Sequence, residues 1–77
     1  MKKINFFEGS NLFLSETTDL NVSEGYIQYK LANQYEYRPT TESLWADVIH
    51  ADNKVDRYLL DYEHKKLNLH LQYNLNN

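Results

Sequence analysis

Between Leu67 and Leu75 the chain reads LNLHLQYNL. This unbroken alternation sets Leu67, Leu69, Leu71, Tyr73 and Leu75 on one side and Asn68, His70, Gln72 and Asn74 on the other. A period of two belongs to a β-strand, whose successive side chains point to opposite faces of a sheet. The apolar row needs a core. The other row is polar but uncharged, and a strand at the free edge of a sheet ordinarily carries Lys or another charge against edge-to-edge pairing. Residues 67–75 are therefore expected inside a sheet, or at an edge covered by another chain.

The partner strand is expected just upstream. With a two-residue loop at His64-Lys65, Glu63 pairs with Lys66, Tyr62 with Leu67, Leu60 with Leu69 and Tyr58 with Leu71, which makes one face wholly apolar. On the other face Asp61 meets Asn68, Leu59 meets His70 and Arg57 meets Gln72. A hairpin over 57–75 competes with a helix. Leu44, Val48, Ala51, Val55, Tyr58 and Tyr62 are spaced four, three, four, three, four, so the alternative is one long helix over 41–66 packed on a sheet.

Upstream, the periodicity changes at the few punctuating residues, Gly9, Gly25 and Pro39. Ile4–Phe7 and Leu12–Leu14 flank Glu8-Gly9-Ser10-Asn11 and predict a hairpin near 4–14, with Gly9 supplying the unusual backbone angles of the turn. Leu20–Val22 reads as a further short strand. In YIQYKLANQYEYR, Ile27, Tyr29, Leu31, Tyr35 and Tyr37 fall on odd positions, which predicts one long strand or, given usual strand lengths, a hairpin near 26–38 turning through Ala32-Asn33-Gln34. After Pro39, Leu44, Trp45, Val48 and Ile49 stand at helical spacing behind Thr40 or Thr41 as N-cap. That predicts a short helix near 41–51, closed by a turn at Asp52-Asn53-Lys54. The expected fold is a small α+β domain spanning 1–77, mainly an antiparallel sheet with one short helix.

At 77 residues without cysteine, such a domain has neither disulfides nor thiolate metal sites, and its stability rests on a small core or on oligomerisation. Eleven carboxylates against eight scattered basic residues give a net charge of −3. That balance argues against direct nucleic-acid binding, which needs a basic stripe, and against a charged membrane-surface role. With no apolar run long enough to span a bilayer and no credible signal peptide, a cytoplasmic location is expected.

The chemistry-bearing residues point away from catalysis. His50, His64 and His70 lack the spacing that brings two imidazoles onto one metal, there is no GxSxG serine or glycine-rich phosphate loop, and no cofactor is expected. The seven tyrosines suit protein interfaces, where such amphipathic rings act as hot spots. Tyr26 falls out of phase with Ile27 and Tyr29 and is expected in solvent. Asp47, Asp52, Asp56, Asp61 and Glu63 gather in the second half, as a solvated face or a weak imitation of a phosphate row. Tyr26, Asp56, Leu59, Asp61 and His70 are thus the candidate partner-contacting residues, with Leu59 and His70 at the centre of the contact.

The expected function is that of a small acidic, non-catalytic protein-binding module. It would act by occupying a partner's surface as an inhibitor or adaptor, in keeping with an AT-rich phage or mobile-element genome and a host enzyme or defence system as target. The alternatives are a minimal hydrolase or nuclease using His50 or His70 with a neighbouring Asp, and a structural subunit of a homo-oligomer.

Overall fold

The computed structural model describes residues 1–37, 39–61, 63 and 66–74, with 67–74 described through their backbone. Five strands and one helix follow in the order β1 (Lys2–Glu8), β2 (Asn11–Thr18), α1 (Glu24–Tyr37), β3 (Leu44–Ile49), β4 (Lys54–Asp61) and β5 (Lys66–Asn74). The strands form one sheet in the order β2-β1-β3-β4-β5, every neighbouring pair antiparallel. The α+β class, the antiparallel sheet and the hairpins over 4–14 and 57–75 are as the residue pattern predicts.

The first hairpin turns at Gly9-Ser10, and Gly9 has a φ of +57°, the left-handed region where a Cβ is costly. Its N–H donates to Ser43 O at 2.8 Å, and its own carbonyl accepts from Trp45 Nε1 at 3.0 Å. The turn is thus tied to the start of β3. The turn expected at Asp52-Asn53-Lys54 is also present: Asn53, at φ +68°, donates to His50 O at 2.9 Å, and Asp52 Oδ1 accepts from Lys54 N at 3.1 Å.

Residues 26–38 were expected as a hairpin, yet 24–37 are helical. Ile27, Leu31 and Tyr35 lie four apart, a spacing that the periods of 2 and 3.6 share, so the inward residues cannot separate the two. What selects the helix is its start and its composition. Ser23 Oγ accepts from Tyr26 N at 3.1 Å as N-cap, Glu24 stands in the first turn, and Gln28, Lys30, Leu31, Ala32, Gln34 and Glu36 are good helix formers. Pro39 follows the last turn, where it cannot prolong the helix. Residues 20–22 form no strand; they lead into this cap.

The helix expected near 41–51, and with it the longer alternative over 41–66, is replaced by β3 and β4. As the middle strand of five, β3 is flanked on both sides and carries apolar side chains on both faces: α1 covers one, and on the other Trp45 and Ile49 are half-buried among neighbouring strand residues, so the period of two is lost. Leu44, Ala46 and Val48 face α1, while Trp45, Asp47 and Ile49 face the other way. Thr40 caps no helix: its Oγ1 accepts from Glu42 N at 2.9 Å in a local turn.

The core lies between α1 and one face of the sheet. Ile4 and Phe6 of β1, Leu44, Ala46 and Val48 of β3, and Leu60 of β4 meet Ile27 and Leu31 of the helix, with Leu14, Val22, Tyr35 and Tyr58 around them. On the opposite face Phe7 stacks on Trp45 with centroids 4.0 Å apart, and the Arg57 guanidinium lies 4.1 Å from the Trp45 ring.

The register of the last hairpin differs from the expected one. Asp61 pairs with Lys66, Leu60 with Leu67, Leu59 with Asn68 and Tyr58 with Leu69; the register then shifts, and Arg57 pairs with Leu71 and Val55 with Tyr73. His70 is the extra residue of a β-bulge and stands opposite no residue, so the Leu59–His70 pair does not exist. Arg38, Tyr62, His64, Lys65 and Leu75 lie outside the described residues, and with them the expected turn at His64-Lys65.

Candidate protein-interaction surface

Because Ile27, Leu31 and Tyr35 take the inner side of α1, the remaining tyrosines of the helix are turned outward. Tyr26, Tyr29 and Tyr37 are 39 %, 66 % and 79 % exposed. At about 100° per residue, Tyr29 lies about 60° to one side of Tyr26 and Tyr37 about 20° to the other, so the three form one stripe about 16 Å long. Asn33 falls within it, and Lys30 lies just beside it, about 40° from Tyr26.

The upper end of the stripe is ordered. Tyr26 Oη donates to Glu16 Oε2 at 2.7 Å, and Lys30 Nζ reaches Glu16 Oε1 at 3.0 Å while lying 5.5 Å from the Tyr26 ring centroid. Burial pushes the Glu16 carboxyl upward, but hydrogen bonds from Tyr26 and Lys30, with the charge of Lys30, outweigh it and leave Glu16 below its ordinary value. The hydrogen bond to Glu16, then burial and the negative charge, raise the Tyr26 phenol. The Lys30 ammonium is raised as well, chiefly by its bond to Glu16.

The direction of the Glu16 shift sets a pH dependence. A carboxyl held low in the folded state contributes stability that is present above its unfolded value and lost as pH falls through the folded one. Wild type is therefore expected to lose part of its urea midpoint in the acid range, and Glu16→Gln to lose less over the same interval. Equal acid losses in the two proteins would remove Glu16 from the account.

Beside Tyr26 opens a cleft of about 410 Å³ lined by Ile4, Glu16, Thr18, Leu20, Asn21, Val22, Ser23 and Tyr26. It lies between the end of β2 and the cap of α1. Leu20, 75 % exposed, stands at its rim, held outward by a turn in which Thr18 Oγ1 accepts from Leu20 N at 3.0 Å. Exposed tyrosines, an exposed leucine and a half-open apolar cleft thus adjoin on one side of the molecule, a combination that suits a protein partner.

A second, more open cleft of about 540 Å³ is lined by Lys2, His50, Ala51, Asp52, Lys54 and Asp56. Here His50 Nε2 lies 2.8 Å from Asp56 Oδ2. With Asp56 as a carboxylate, Nε2 carries the shared proton and Nδ1 is the basic nitrogen. No group of three or more His, Cys, Asp or Glu among the described residues is placed to hold a metal ion.

The five sequence-derived candidates do not share one surface. Tyr26 belongs to the helical stripe. Asp56 lies on the helix side of the sheet, across from Val48 and bonded to His50, whereas Leu59, across from Trp45, lies on the opposite side. Asp61 ends β4 and accepts from Glu63 N at 3.0 Å, and His70 is the bulged residue of β5. The sequence reading assigned Tyr29 and Tyr37 to the inward row and so missed them. Taking Ser23-Glu24 as a helix start would have turned both outward, since neither lies three or four residues from Ile27 or Leu31 on the core side.

No helix among the described residues is long and apolar enough to cross a membrane. A scan against protein-family models, a search of curated proteins and a search of solved structures find no match to this chain.

Proposed function

We propose that this chain is a small, non-catalytic protein-binding module of the cytosol, acting as an inhibitor or adaptor that occupies its partner's surface through α1. The observation that carries the reading is the stripe of Tyr26, Tyr29 and Tyr37 on the only described helix. Tyrosine offers a large amphipathic contact with few torsions to freeze, and Tyr26 is already held by Glu16, so less freedom is lost when it is covered. The adjoining cleft beside Leu20 receives an apolar side chain of the partner.

The His50–Asp56 contact is the basis of the competing hydrolase reading. Asp52 and Asp56 line the same cleft as Lys2 and Lys54, with Lys54 4.0 Å from Asp52, so the lining carries no excess of positive charge to hold a phosphate, which weighs for binding over catalysis.

The test is affinity capture from the host's lysate with wild type and with Tyr29→Ala/Tyr37→Ala, whose rings are mostly in solvent and whose loss leaves the circular dichroism unchanged. Wild type is expected to retain one stoichiometric partner. With that partner purified, the double variant is expected to bind at least ~30-fold more weakly, the loss of roughly one hot spot. Equal binding by the two proteins, or no partner at any salt concentration, would end the proposal.

A further inference from the structure

A five-stranded open sheet leaves two edges, here β2 and β5, and among the described residues no strand pairs with the outer side of either. An open edge is a template for another strand unless charge, proline, a bulge or a cover blocks it. Neither edge carries proline, and between Leu67 and Asn74 there is no charged residue. By charge alone, β5 invites a second copy.

The register points the other way. In β1–β2, Phe6 pairs with Leu14 and Phe7 with Leu12, which leaves Phe13 extra; in β4–β5, Tyr58 pairs with Leu69 and Arg57 with Leu71, which leaves His70 extra. In each case the inserted residue lies on the edge strand, and the inner strand is continuous. A bulge bends its strand and increases the local twist. It divides β5 into Lys66–Leu69 and Leu71–Asn74, so neither part offers more than four residues of regular edge. β2 keeps a longer regular run, Leu14–Thr18, and within it Glu16 is turned toward the helix, where it holds Tyr26 and Lys30. A charge pointing inward on an edge strand is a second known block.

We infer that both edges are closed to strand addition, β5 by its bulge and β2 by its bulge together with the inward charge of Glu16, so that the chain neither pairs with itself through β5 nor takes up an extended peptide. This removes the need for a covering chain that the uncharged polar row of β5 suggests. It stands whether or not α1 is the docking surface.

Deletion of His70 isolates the device, because it leaves every other residue pair of β4–β5 in place and makes the ladder regular. By sedimentation, wild type is expected to remain a monomer as concentration rises. The deletion variant, with unchanged circular dichroism, is expected to at least double its weight-average mass, and adding Gln72→Lys is expected to reverse this. Wild type that self-associates and is dissolved by Gln72→Lys would overturn the inference, as would a folded deletion variant that stays monomeric. Independently of how the deletion folds, a fluorescent peptide of residues 66–74 titrated with wild type is expected to show no saturable binding, and saturable binding would overturn it equally.

Discussion

Replacing Phe6 with Ala is expected to cost about 3–5 kcal/mol, the range for deleting a buried aromatic ring and leaving a cavity. Phe6 is fully buried in β1, the second strand of the sheet, and its neighbours there are Leu14 on β2 and Ala46 on β3. Opposite Ala46 there is little side chain to move into the space. A chain of 77 residues has a total stability of about 4–12 kcal/mol, so this one change takes a large share of it. Urea unfolding followed by circular dichroism should show the midpoint falling sharply or the native baseline disappearing. A loss below about 1 kcal/mol would mean that Phe6 is not where the helix and sheet meet.

The second large effect is expected on the other face of the sheet. Asp47 is 7 % exposed, and Arg57 grips it with Nε to Oδ1 at 2.8 Å and Nη2 to Oδ2 at 2.9 Å. The two stand directly across β3 and β4. Arg57→Ala takes the guanidinium from a carboxylate that water hardly reaches and also uncovers Trp45. Breaking a fully buried pair costs about 3–5 kcal/mol, and since Arg57 is itself partly solvated, about 2–4 is expected here. The paired variant Asp47→Leu/Arg57→Met removes both charges and is expected to fall within about 1–2 kcal/mol of wild type, because no unpaired charge is left behind. Equal losses in the single and paired variants would show that the strands need these side chains for packing and not for charge.

The contrast between the hairpins and the middle of the chain follows from what each element borders. Gly9 between two apolar runs, and alternating residues on either side of 62–65, are local signals, and both hairpins are legible from them. Residues 24–37 and 44–49 are not legible in the same way. In the first, Ile27, Leu31 and Tyr35 satisfy either period, and the Ser23 cap with the run of helix formers behind it decides. In the second, apolar Trp45 and Ile49 on the face away from α1 erase the alternation that would have marked a strand.

The candidate site divides along the same line. Tyr26 was legible as an exposed residue, although as an out-of-phase residue of a strand and not as the first ring of a helical stripe. Tyr29 and Tyr37 depended on the helix assignment and went with it. Glu16 gives no sign in its own segment, since its partners Tyr26 and Lys30 lie on an element ten or more residues away.

The residue order by itself determined the class of this protein: an antiparallel sheet with one helix, without disulfides, its apolar residues gathered in short runs and its basic residues scattered. Those properties are sums over nearby residues. Only the tertiary structure decided that LNLHLQYNL is split at His70. A bulge is a mismatch between two strands, and neither strand carries the mismatch in its own pattern. By register, Leu67 and Leu69 stand across from Leu60 and Tyr58, and Leu71 and Tyr73 across from Arg57 and Val55, on opposite faces of the sheet. The unbroken alternation serves two faces, and the uncharged edge is guarded by its shape.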